Sequence, residues 1–176
     1  SPSASKHAPL SHRGILALAI PIMLSNVTTP LLGLVDTAVI GRLPGAEYVG
    51  SVALGSLVFS FVFWAFGFLR MGTTGLTAQA LGANDTEEIR AALLRSLLLA
   101  AGIGMALLLA AWPIRHLALL LLDGSPEVEA LADSYVAARF YAAPATLMNY
   151  ALLGWFVGLG KTRTGLGLQL TLNLTN

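Results

Sequence analysis

The stretch GILALAIPIMLSNVTTPLLGLV, residues 14–35, holds 22 consecutive positions without a charge. As a helix rising about 1.5 Å per residue it reaches about 33 Å, close to the thickness of a bilayer's hydrocarbon core. Outward from it the pattern returns: residues 48–69 are uncharged over 22 positions, 96–114 over 19 and 140–160 over 21. Four membrane spans follow. A fifth opens after Arg163 and keeps the same character to Asn176. The expected fold is an all-α integral membrane bundle, polytopic, with helices over residues 14–41, 48–81, 87–122, 127–160 and 164–176. The last is expected to be incomplete, so that residues 13–176 form part of a larger transmembrane lobe behind a flexible, polar, cytoplasmic tail at 1–12.

Lys6, His7, His12 and Arg13 ahead of the first run imitate a secretory signal. Signal h-regions are shorter, about 7–15 residues, and no A-x-A-like cleavage site precedes Arg42, so the run is read as a retained span. Composition agrees. Apolar residues make up 56% of the 176 and charged residues 11%, against about 25% charged in a soluble domain. A net charge of +1 and a mean hydropathy of +0.75 also exclude intrinsic disorder. Ten Lys and Arg offset by nine Asp and Glu leave no basic excess for nucleic acid. Without cysteine there is no disulfide framework, thiolate metal site or cysteine nucleophile.

The connections carry helix-end chemistry. Gly82-Ala83-Asn84 offers a stop, and Asp85 with Glu88 three residues on fits a capping box. Gly124 suits a left-handed position, Ser125 an N-cap and Pro126 the first helical position. Pro44 and Gly45 make the first loop equally tight, so neighbouring spans run antiparallel. Lys6, Arg13, Arg90, Arg95, Lys161 and Arg163 then fall on one side and Arg42 and Arg115 on the other, which puts the N-terminus in the cytoplasm.

Three charges are not claimed by the loops: Asp36, Arg70 and Arg139. An ionised group at mid-bilayer costs about 2.5–3.5 kcal/mol on insertion scales. The two arginines either extend their stems to an interface or line a polar cavity. Asp36 has a short side chain and reaches water poorly. On a helical wheel it shares a narrow face with Ser25, Thr29 and Gly33, flanked by Asn26 and Thr28. Such a stripe against lipid would leave dipoles unpaired, so it is expected to face other helices or a water-filled cavity. Pro21 and Pro30 each remove a backbone donor from the same helix and are expected to bend it. In the fifth span Gln169, Asn173 and Asn176 again share one face, as interhelical glue or as cavity lining. Gly154 and Gly158 form a G-x-x-x-G pair suited to close helix packing.

The run from Pro21 to Gly41, PIMLSNVTTPLLGLVDTAVIG, followed by Leu69 to Gly82, LRMGTTGLTAQALG, closely resembles the multidrug and toxic compound extrusion (MATE) family, and within it the DNA-damage-inducible F (DinF) branch. Ala143-Pro144-Ala145, Leu153-Gly154-Trp155 and Asn173-Leu-Thr-Asn176 agree, so the resemblance covers residues 10–176. It implies a bacterial inner-membrane antiporter of twelve helices, two six-helix lobes that rock to alternate access, of which this chain would supply part of the N-terminal one. Cations entering from outside would drive export of amphipathic, often cationic, drugs. The resemblance further implies that Asp36 is the coupling residue, that Pro21 is the kink proline, and that Asn173 and Asn176 line the N-lobe cavity. A second acid would stand four positions beyond the second amide. The partners implied are the lipid bilayer, amphipathic small molecules and a C-terminal lobe, with no cofactor.

Physically, burial penalises the charged form of a carboxylate, so Asp36 could take a proton and let its helix repack around Pro21 and Pro30 while substrate leaves. Coupling needs proton and substrate to prefer different states. Sodium is the rival ion, since Asp36, Asn173 and Asn176 would make a hard oxygen site. A lipid or polysaccharide-precursor flippase of the same superfamily is the alternative transport reading. An intramembrane enzyme is disfavoured: His7, His12 and His116 lie near span ends, and no paired carboxylates or Ser/His/Asp grouping falls within a span. No phosphate-cradling glycine loop supports ATP-driven transport.

Overall fold

The computed structural model describes residues 12–42, 46–122 and 125–175. Within them the side chains of residues 28–30, 32, 33, 36, 37, 40, 46, 122, 173 and 175 are not described. The chain order is α1 (His12–Ile40), α2 (Ala46–Trp64), a single 3-10 turn (Ala65–Gly67), α3 (Phe68–Gly82), α4 (Thr86–Leu109), α5 (Ala111–Leu122), α6 (Pro126–Tyr141), α7 (Ala143–Gly158) and α8 (Thr162–Thr175). Among the described residues there is no strand. The tail expected at 1–12 lies, His12 apart, outside them.

Of the expected helix ends, those at 82–85 and at Ser125 are built, Pro44, Gly45 and Gly124 lie outside the described residues, and the Glu88 carboxylate pairs with Arg95 rather than closing a capping box. Asn84 takes the left-handed conformation at φ 55°, and the Asp85 N–H donates to the Ala80 carbonyl at 3.0 Å, closing α3. Asp85 then accepts the Glu88 N–H at 2.9 Å and starts α4. Ser125 accepts from the Val128 N–H with Pro126 at the first helical position of α6. Gly160, at φ 70°, supplies the left-handed turn before α8.

Three expected spans differ from continuous helices. Residues 47–82 form one helical run long and apolar enough to cross a membrane, yet it tightens into a 3-10 turn at Ala65–Gly67. The span expected at 87–122 divides between Leu109 and Ala111, four residues before Pro113, whose ring would clash with the Leu109 carbonyl. The span at 127–160 divides at Ala142, where Pro144 in the first turn of α7 stands in the same relation to Phe140. The first span, by contrast, is one continuous helix, α1, through Pro21 and Pro30.

Packing centres on α7, which lies against both α3 and α4. The approach is at backbone distance. A Cβ at Gly104 of α4 would collide with the Pro144 backbone, and one at Gly154 with the Arg70 carbonyl. At Gly158 it would meet Thr77 Cβ at 2.7 Å and the Thr74 carbonyl at 2.8 Å. The Gly154/Gly158 pair thus seats α7 on α3, as small residues do where no hydrophobic force brings helices together in lipid. Phe63, Leu69, Ala100, Leu107, Leu147 and Ala151 fill the core around this contact. A second contact sets α2 on α6, where Gly55 admits the Tyr135 ring and Val58, Val136 and Phe140 are buried together. Outside this frame, α1 packs chiefly on α8.

Candidate transport site

The polar residues of α1 and α8 are held by neighbours from the frame. Ser25 is buried about one turn from the buried Pro21, on the face that the 3.6-residue repeat gives to i and i+4. Asn26 lies at the surface, and its Oδ1 accepts a hydrogen bond of 3.1 Å from Arg70 Nη1 of α3. A residue flanking the polar stripe therefore meets a guanidinium of α3. Arg70 sits in the first turn of α3, just past the 3-10 turn, and its own carbonyl is covered by Gly154. Its backbone is pinned while its head reaches α1.

On the other flank, Gln169 of α8 accepts from Asn149 Nδ2 of α7 at 3.4 Å. Asn149 Oδ1 is buried and has no hydrogen-bond partner among the described residues. A buried amide oxygen left open in an apolar bundle carries a desolvation cost of about 1–3 kcal/mol, which a polar ligand or water can relieve. Thr74 Oγ1 donates towards both the Arg70 carbonyl at 2.8 Å and the Gly154 carbonyl at 3.0 Å, tying α3 to α7.

Arg139 is engaged elsewhere. Its guanidinium stacks on Phe59 of α2 at 4.4 Å from the ring centre and donates to the Tyr135 hydroxyl at 2.5 Å. Tyr135 in turn lies 3.4 Å from Ser56 Oγ. The arginine is half-buried and couples α6 to α2, while Arg70 couples α3 to α1. For Thr29, Pro30, Gly33, Asp36 and Asn173 the helix backbone is described and the side chains are not, and Asn176 lies outside the described residues.

Asn149 and Tyr135 were not singled out from the sequence. Tyr135 stands four residues before Arg139, the spacing that places a hydroxyl beside a guanidinium on one helix face, so it was findable. Asn149 offered only an isolated amide in an uncharged run. Its meaning depends on α8 lying next to α7, which no spacing within one helix reveals.

The architecture is that of a polytopic membrane helix bundle in which polar side chains are turned between helices. The MatE family model matches residues 21–176, and the chain belongs to that family. It is therefore a multi-pass protein of the bacterial inner membrane. It is 45% identical over 166 residues to the DNA damage-inducible protein F of Escherichia coli, covering 94% of this chain and 36% of that protein. It is 29% identical to a probable multidrug resistance protein NorM of Shewanella oneidensis, over 89% of this chain and 34% of that one. The multidrug resistance protein MdtK of Edwardsiella ictaluri matches at 26% over 88% and 34%. The chain spans about a third of the length of these relatives.

Proposed function

We propose that this chain acts within a secondary active multidrug efflux antiporter that exchanges protons for amphipathic, cationic drugs, with Asp36 as the coupling carboxylate and Asn173 and Asn176 beside it. The remaining helices of such a pump, with its second lobe, would come from sequence of the kind the relatives carry beyond the matched third. The N-terminus would face the cytoplasm.

The packing of α1 against α8 carries this reading. It brings the helix of Asp36 next to the helix of Gln169 and Asn173, which lie far from it in sequence. Leu18 of α1 meets Gly160 at the start of α8. Polar pairs flank both helices, Arg70 with Asn26 and Asn149 with Gln169. In the proposed cycle Asp36, when ionised, holds a cationic drug by charge. A proton arriving at the carboxylate cancels that attraction, α1 repacks, and the drug departs. Two ligands that favour different states of one element are what exchange requires. The names of the NorM and MdtK relatives support the substrate class.

The test is Asp36→Asn in the full-length protein, expressed in cells deprived of their own pumps. Drug resistance should fall to the empty-vector level while the amount of protein in the membrane fraction stays unchanged. Undiminished resistance would remove Asp36 from the mechanism.

A further inference from the structure

A polar crevice lies between α5 and α6, apart from the proposed drug path and from the packed frame. It has a volume of about 210 Å³, with Arg115 and His116 of α5 on one wall and Glu129 and Asp133 of α6 on the other. Trp112, Leu119 and Leu120 complete the lining. Arg115 Nη1 donates to the Asp133 carbonyl at 3.1 Å and to its Oδ2 at 3.3 Å, while Nε is buried with no partner among the described residues. The His116 ring lies parallel to the Trp112 indole, 4° apart at 5.6 Å between centres.

The depth of these charges is unusual. Arg115 ends 19 uncharged positions, but six apolar residues, 117–122, follow His116. Leu117, Leu120 and Leu121 are exposed at 60%, 66% and 77%. Exposed leucines beyond the charges keep hydrocarbon at their level, so the crevice opens at the edge of the apolar band, where lipid headgroups lie. Drug-sized ligands occupy pockets of about 300–1,000 Å³, so this one admits something smaller. Cationic and anionic side chains face each other across it, which suits a ligand carrying both signs. A phosphate would meet Arg115 and His116, and an ammonium would meet the Glu129 and Asp133 carboxylates. A quaternary ammonium would want an aromatic cage, whereas the one indole here already stacks on His116, so N–H donors to carboxylates fit better.

We propose that the α5–α6 crevice binds the headgroup of a phospholipid bearing phosphate and a primary ammonium, an ethanolamine lipid. This rests on the chain being embedded in a membrane and not on the export reading.

The experiment is native mass spectrometry of the full-length protein in detergent with equal amounts of dioleoyl phosphatidylethanolamine, phosphatidylglycerol and phosphatidylcholine. The ethanolamine lipid should be retained over both others. The double variant His116→Ala/Glu129→Gln removes one contact to the phosphate and one to the ammonium and should weaken that retention at least about tenfold, the effect of a single lost charge-assisted hydrogen bond. Should that variant fail to fold, His116→Ala alone, at an exposed position, should reduce retention in the same direction. Asp36→Asn should leave it unchanged, which separates this site from the pump reading. Equal retention of the three lipids, or full retention by the folded variants, would overturn the proposal. So would displacement by soluble glycerophosphoethanolamine at equal concentration, which would show a free headgroup and not a lipid to be the ligand.

Discussion

Helices α7 and α1 stand at opposite extremes of the same bundle. Along α7, Ala143, Leu147, Ala151, Leu153, Gly154 and Gly158 are all buried, and two of its neighbours approach to backbone distance. Along α1 only Pro21 and Ser25 are buried among the described side chains, and Met23 and Leu34 are about two-thirds exposed. Both helices are apolar, so hydrophobicity does not separate them. Small residues do. Where glycine meets a threonine or a proline, dispersion contacts accumulate and the pair is rigid. Where branched side chains face outward, the helix is held by fewer close contacts, and elements that move in function come from this lightly held end. The α3–α4–α7 group is thus a frame, and α1 is the more lightly packed element beside it.

That contrast can be broken by experiment. The largest effect expected is on transport: dissipating the proton gradient at constant sodium should reduce drug export from vesicles containing the full protein to background. Export that stops on sodium removal alone would reassign the ion acting on α1. Next, Gly154→Val forces a side chain into the Arg70 backbone and should destabilise the frame by about 3 kcal/mol, the upper range for overpacking, read as lowered melting temperature in detergent. A small loss would mean that α7 is not rigidly seated. Arg139→Gln removes the stack on Phe59 and should cost about 1 kcal/mol in the same assay. The smallest change is Asn26→Ala, which deletes the bond from Arg70 and should cost about 0.6 kcal/mol, the usual value for one polar contact between membrane helices. If Asn26→Ala destabilises as much as Gly154→Val, α1 belongs to the frame.

Much of this is legible in the amino-acid sequence. The gaps between charges marked the apolar runs that a membrane bundle needs, because a charge within hydrocarbon is costly whatever the fold. Asn84, Asp85 and Ser125 were legible as helix ends, because capping is satisfied within four residues of chain. The break points were harder. Pro113 and Pro144 were present to be read, yet Pro21 and Pro30 are equally prolines and interrupt nothing. A missing hydrogen bond weakens every proline site to a similar degree, and packing decides which one yields. At Pro144 the ring is pressed against Gly104, and the chain turns there into a new helix.

The wheel through Ser25, Thr29, Gly33 and Asp36 marked a polar face, since spacing along one helix is a local property. Its counterpart was not local. That Arg70 reaches Asn26, that Asn149 meets Gln169 and that Arg139 turns to Phe59 depends on which helices are neighbours. Helical class and membrane residence follow from one-dimensional chemistry, because lipid forces each segment to satisfy its own backbone. Helix adjacency follows from how small residues on different segments fit one another, a sum over pairs distant in the chain, and it appears once the bundle is assembled.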